Sequence, residues 1–290
     1  MPYRNFLVKS IKYSAIEGNF MSMQTPMIEK KVTVSTIRNM KGKEPITMVT
    51  AYDALFAKLF DGAVEMILVG DSLNMSFSGK SDTLSANMEL MIYHTKAVCM
   101  GAKLPLIVLD MPFGSYTSKE LAIKNSIRAY RETDAQAVKI EGGKERADII
   151  KTLSDASVAV VGHIGLMPQF VRSEGGYKVR GKRQEDIDTL VEDAIAIEKA
   201  GAFALVVEGV KEEAAKAITE AVSIPTIGIG AGVHTDGQVL VWSDMFGFFE
   251  DFKPKFVKQY MQGGKLIREA LGQFVDEVKN REFPSKDYTY

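Results

Sequence analysis

Short apolar runs alternate with longer amphipathic stretches along most of this chain. Eight runs read as strands: residues 46–51, 66–69, 104–109, 137–140, 158–161, 204–207, 226–229 and 239–241. Continuous apolar runs of this length are the pattern of strands buried on both faces. Helical patterns lie between most of them. Ile187, Leu190, Val191, Ala194 and Ile197 recur at i, i+3, i+4, i+7 spacing and form one apolar face. Gly201 ends that stretch as a C-terminal cap. Residues 87–101 predict a second helix, and Ser118 is the N-cap of a third. Ile149, Ile150 and Leu153 give residues 145–156 a core face, and residues 211–222 are Ala-rich and helix-prone. A last helical stretch, 255–280, is interrupted by Gly263 and Gly264. Eight strands alternating with helices over about 250 residues predict an α/β protein, a (β/α)8 TIM barrel. A doubly wound open sheet is the competing fold, but no GxGxxG follows the first strand.

Four of the apolar runs end in an acid: Asp71, Asp110, Glu141 and Glu208. Barrels and open α/β sheets keep their chemistry at this carboxyl edge. Clustered carboxylates repel, so several of them there call for a divalent cation. A lone strand-end Asp reads equally well as a helix N-cap. Asp71 and Asp110 on adjacent strands, with Glu141 beside them, favour a metal. Hard oxygen donors suit Mg2+. Three histidines (His94, His163, His234) and one cysteine do not make a usual zinc set.

Lys139 and Glu141 are two apart on one strand and point to the same side, inward in a barrel. An inward Lys must be paired or used. It can hold a substrate oxyanion, form a Schiff base with a carbonyl, or pair structurally with Glu141. His163, near the end of the fifth run, reads as a hydrogen-bond donor to substrate or as a satisfied structural residue. Glu208, after an apolar run, suits general-base work or caps the next helix. Ser72 either shares a ligand with Asp71 or caps a turn. Gly228, Gly230 and Gly232 form a loop that cradles a phosphate or packs closely beneath a ligand. The long polar loops 72–87 and 165–185 are expected to be lids or binding loops.

Composition bounds the function. The 290 residues are 46% hydrophobic and 25% charged, an ordinary globular balance. No linker-like stretch divides them, so residues 25–290 are expected to form one catalytic domain. Residues 1–24 read as a loosely ordered N-terminal extension. Lys9, Lys12 and Tyr13 break it as a signal peptide. A net charge of -1 argues against a nucleic-acid partner. No apolar run reaches the roughly 18 residues of a membrane span. Cys99 stands alone, so no internal disulfide forms, which fits a reducing cytoplasm. Its helical context predicts a buried small residue rather than a nucleophile.

Six segments in collinear order carry a resemblance. They are VGDS (69–72), LDMPFGSY (109–116), VKIEGG (138–143), GHIGLMPQ (162–169), GGYKVRGK (175–182) and IPTIGIGAG…DGQVLV (224–241). Together they closely resemble the ketopantoate hydroxymethyltransferase family. The resemblance implies a barrel of the phosphoenolpyruvate mutase/isocitrate lyase type. It implies transfer of a hydroxymethyl group from 5,10-methylenetetrahydrofolate to 3-methyl-2-oxobutanoate, giving 2-dehydropantoate for pantothenate biosynthesis. Asp71 and Asp110 match the family's Mg2+ ligands, with Glu141 as a third acid acting through water. Asp71, Ser72, Asp110 and Lys139 match the keto-acid contacts, His163 a site histidine, and Glu208 the proton acceptor. Mg2+ on a 2-oxo acid acidifies the C3 proton and stabilises the enolate. The resemblance also implies a homo-oligomer, a decamer in several bacterial members. Asn74 departs from the family, which usually has Gly there. Residues 232–238 fall in a variable segment. An isocitrate lyase-type chemistry needs a KKCGH-like loop, and Cys99 is not in that context. A keto-acid-binding protein without turnover is the rival outside enzymes; the presence of Glu208 argues against it.

Overall fold

Eight parallel strands close into a barrel, in the order in which they follow along the chain. The computed structural model describes residues 27–249 and 253–290, so the predicted extension 1–24 lies outside the described residues. The strands are β1 (Ile46–Thr50), β2 (Met66–Val69), β3 (Leu106–Asp110), β4 (Ala137–Glu141), β5 (Val160–Gly165), β6 (Ala204–Glu208), β7 (Thr226–Ile229) and β8 (Gly237–Leu240). The helices are α1 (Val34–Met40), α2 (Ala54–Phe60), α3 (Leu73–Ser76), α4 (Met88–Gly101), α5 (Lys119–Glu132), α6 (Ala147–Asp155), α7 (Gln184–Lys199), α8 (Glu212–Ala221), α9 (Trp242–Met245) and α10 (Gly263–Lys279). β1 pairs with both β2 and β8, which closes the sheet and leaves no edge.

The two apolar cores follow the two faces of the strands. Met66, Leu68, Leu106, Val108, Val161 and Val206 fill the barrel interior. Ile67, Val69, Ile107, Leu109, Val138 and Leu205 face the ring of helices. Alternation along a strand therefore decides what each residue meets. The helical faces behave as their periodicity predicts. Leu190, Ala194 and Ile197 are buried on α7. Ile149, Ile150 and Leu153 are buried on α6. Ser118 accepts the Leu121 N–H at 3.2 Å and starts α5. Gly201 follows α7 at φ +104°, a conformation that favours glycine.

Several expectations shift: β3 starts at Leu106 rather than at 104, and β8 spans Gly237–Leu240 rather than 239–241. β5 starts two residues later than its apolar run and continues to Gly165, so His163 lies within the strand rather than after it. Gly263 and Gly264 do not interrupt a tail helix; α10 begins at them. Gly263 is the one buried residue of that helix, because a Cβ there would crowd the Phe246 oxygen and the Phe248 ring. The rest of α10 leaves Leu266, Ile267, Leu271 and Phe274 about half exposed. Cys99 is buried on α4, and burial pushes its thiol up to about 11, which makes it unreactive near neutral pH. No helix among the described residues is long and apolar enough to cross a membrane.

Candidate active site

The inward rows of the barrel change character at its carboxyl end. Leu106 and Val108 point inward on β3, and the next inward residue is Asp110. The same step takes β4 from Ala137 to Lys139 and Glu141, β5 from Val161 to His163, and β6 from Val206 to Glu208. Strand register sets Asp110 beside Lys139 and Glu141 beside His163. Asp71, Asp110, Lys139, Glu141 and His163 are each 3% exposed or less. Together with Ser72 and Glu208 they line one cavity of about 90 Å³. Leu68, Val206, Ile229 and Val239 supply its apolar wall.

Lys139 sits at the centre. Its Nζ lies 2.9 Å from Asp110 Oδ1, 3.4 Å from Glu141 Oε1 and 3.1 Å from His163 Nδ1. Burial works against the Lys139 charge, but Asp110, Glu141 and Asp71 outweigh it and raise the ammonium above its ordinary value. His163 Nδ1 also lies 3.4 Å from Glu141 Oε1. A charged Lys can only donate, so in the neutral imidazole Nδ1 accepts from Lys139 and the proton sits on Nε2. That nitrogen is 3.2 Å from Glu208 Oε2, close but outside hydrogen-bond geometry. Burial and Lys139 pull His163 toward the neutral form; Glu141 and Glu208 pull harder and leave its pKa above the usual value.

Burial raises the Asp71 carboxyl well above its ordinary range, with the Asp110 and Glu141 charges adding to it. Asp110 is also raised by burial, although Lys139 opposes the shift. Glu141 ends below its usual value, because Lys139 and His163 more than offset its burial. The group therefore favours added positive charge near Asp71 and Asp110. Among the described residues, no three His, Cys, Asp or Glu side chains form a ready-made metal cage. Asp71 and Asp110 nonetheless fit Mg2+ as a pair, since that ion keeps several waters and takes one or two carboxylates. Asp110 Oδ1 is held by the Lys139 ammonium at 2.9 Å as an ion pair, outside good hydrogen-bond geometry.

The capping alternatives fail for these acids. The N-cap positions are Ser72 for α3, Ser118 for α5, Arg146 for α6 and Lys211 for α8, so none of the four acids occupies one. Ser72 itself makes no capping bond; its hydroxyl meets Tyr52 Oη at 2.8 Å and it lines the cavity. Asn74, the departure from the family pattern, is buried and donates to Asp82 O and Ser85 Oγ, which pins the loop after α3. Gly230 packs on Phe256 and Gly232 on Glu212, so this loop reads as close packing rather than an open phosphate cradle.

Two contributors were not singled out from the sequence: Gln169 and Tyr116. Gln169 Nε2 donates to Asp71 Oδ2 and to Met111 O, both at 2.9 Å. Its backbone N–H donates to Glu141 Oε2 at 3.0 Å, and its Oε1 accepts from Tyr116 Oη. One residue of the 165–185 loop, through its amide and its backbone N–H, thus ties that loop to two of the acids. Both residues lie inside the quoted motifs, but an amide and a phenol in loops carry no strand-end signal. Replacing Gln169 by Ala strands buried polar groups, each costing about 1–3 kcal/mol. The expected outcome is a lower denaturant midpoint and faster proteolysis within residues 170–182. Unchanged cleavage would show that the amide does not hold the loop.

Comparison with known proteins bears on the family and the fold. The sequence profile of the ketopantoate hydroxymethyltransferase family matches residues 31–286. A 3-methyl-2-oxobutanoate hydroxymethyltransferase from Aliarcobacter butzleri is 62% identical over 96% of this chain and all of its own length. One of the same name from Helicobacter pylori (strain Shi470) is 56% identical over 93% of this chain and all of its own. Among solved structures, 2,3-dimethylmalate lyase, a phosphoenolpyruvate mutase/isocitrate lyase superfamily member, is similar with a TM-score of 0.57 at 13% identity. That likeness spans 88% of this chain and 91% of the lyase, and concerns the barrel alone. The profile match and the near full-length identity to transferases lead to one conclusion: the chain belongs to the ketopantoate hydroxymethyltransferase family.

Proposed function

We propose that this enzyme transfers a hydroxymethyl group from 5,10-methylenetetrahydrofolate to 3-methyl-2-oxobutanoate, giving 2-dehydropantoate, the first committed product of pantothenate and coenzyme A biosynthesis. The observation that supports it most is one buried pocket holding an acid pair, a central ammonium and a separate carboxylate. Asp71 and Asp110 would hold Mg2+, with Glu141 behind them acting through water. The ion would supply positive charge at the keto and carboxylate oxygens and so acidify the C3 proton.

The chain's own residues account for the rest. Lys139, kept charged by its three acids, faces the oxygen on which negative charge develops. A charged amine is not a nucleophile, which disfavours the Schiff-base alternative. Ser72 and His163 orient the keto acid. The apolar wall of Leu68, Val206, Ile229 and Val239 takes its branched end. Glu208, 19% exposed on its side chain and set apart from the ammonium, removes the C3 proton. In sum, a C3–H bond and the carrier's C–N bonds break, a C–C bond forms, and water supplies the hydroxyl. Self-association would cover the apolar residues of α10 that one copy leaves exposed.

The deciding experiment is an NMR-monitored reaction of protein, keto acid, 5,10-methylenetetrahydrofolate and Mg2+, with a chelator control. The expected result is 2-dehydropantoate that disappears with chelator, and Asp110→Ala should match the chelated sample. Product that survives chelation removes Mg2+ from the scheme. Glu208→Gln is expected to bind the keto acid but lose C3 proton exchange; exchange at the wild-type rate would mean a different base. Sedimentation analysis is expected to give an oligomer, and a monomer would refute self-association.

A further inference from the structure

The catalytic cavity, at about 90 Å³, has room for a small keto acid and little else. The one-carbon carrier must therefore lie along the rim. A second cavity of about 430 Å³ adjoins this rim. Gly165 and Met167 line it, while His163, Pro168 and Glu208 line the catalytic one, so the end of β5 is their common wall. Gly165 pairs in register with Glu208, at φ +101°, and any Cβ there would run into the Glu208 backbone oxygen.

The second cavity is cationic. Lys178, Arg180, Lys182 and Arg183 line it, against the carboxylates Asp186 and Asp193. Both acids are already engaged: Asp186 accepts from Arg183, and Asp193 accepts the Lys144 N–H at 3.0 Å. The cations are less occupied. Among the described residues the Lys182 ammonium has no partner, and the Lys178 ammonium meets only the Glu174 carbonyl. Arg180 pairs with Glu174, yet its Nε is buried with no acceptor. A buried donor without a partner costs about 1–3 kcal/mol, and a ligand oxygen would relieve it.

Backbone pairing fixes this cationic run at the catalytic rim. Arg180 N–H donates to Gly209 O at 2.9 Å, and Lys211 N–H donates to Arg180 O at 3.0 Å. Arg180 thus forms a parallel bridge with Val210, just past Glu208. Lys178, Arg180 and Lys182 all line the cavity from this segment, with Gly181 at φ +70° turning the chain between the last two.

We propose that the cavity between the 178–183 segment and α7 binds the glutamate carboxylates of the one-carbon carrier, with Lys178, Arg180 and Lys182 as its recognition groups. This rests on the folate donor named above. In that donor the one-carbon unit sits on the pteridine end and the carboxylates at the other end. The cationic cavity lies outside the catalytic one, as carboxylates remote from the one-carbon unit require.

The test compares two donors: 5,10-methylenetetrahydrofolate and its pteroate counterpart, which lacks the glutamate. Lys178 and Lys182 are exposed, so Lys178→Ala/Lys182→Ala is expected to fold, checked by thermal melting. The double variant should raise KM for the glutamyl donor about a hundredfold, the loss of two charge-assisted contacts of about tenfold each. KM for the pteroate donor and the rate of C3 proton exchange should stay at wild-type values. Lys182→Glu should weaken the glutamyl donor further. An unchanged KM, or an equal rise for both donors, overturns the inference. Wild-type protein that exchanges the C3 proton yet makes no product from either donor would instead overturn the donor itself.

Discussion

The Lys139 ammonium, buried among Asp110, Glu141 and Asp71, is the interaction on which the site depends. Three carboxylates cannot share a dry pocket without compensating charge, and removing one partner from such a set costs about 3–5 kcal/mol. Lys139 meets that need at 2.9 Å from Asp110 and 3.4 Å from Glu141. Its charge also fixes the tautomer of His163, and through it the proton that faces Glu208. One cation therefore orders the acid pair on one side and the imidazole that faces Glu208 on the other.

The barrel makes this possible at low cost in local order. Closure leaves no strand free to slip, so the inward row of each strand is decided by its pairing with two neighbours. Interior positions below the site are filled by Met66, Leu106, Val161 and similar residues. The polar row sits on a packed apolar floor, where dielectric screening is weak and each charge contact is strong.

The 165–185 segment connects the two cavities of the carboxyl edge. At one end Gly165 lies against the Glu208 backbone. In the middle Gln169 grips Asp71 and Glu141. Further on, Arg180 pairs beside Val210. The loop that covers the acids also builds the cationic wall. A change in how it sits on the acid cluster would therefore reach both cavities.

Periodicity along the chain was enough to determine the strand count, the barrel, and the inward partnership of Lys139 with Glu141. Those features depend on which side of an element a residue occupies, and a local repeat encodes that. The acids that end four apolar runs singled out Asp71, Asp110, Glu141 and Glu208, strand-end position singled out His163, and the collinear motifs only attached roles to them. Other features were decided only by tertiary structure. By strand parity Asp71 would face outward from β2. The turn at Gly70 and the bonds to Asp110 and Gln169 direct it into the pocket instead. Gln169 and Tyr116 reach the acids from loops whose paths follow no repeat. The start of α10 at Gly263 was set by the Phe246 and Phe248 contacts that glycine alone permits. Local pattern specifies the face of a strand or helix, whereas a loop's course is fixed by partners distant in sequence that closure of the barrel brings together.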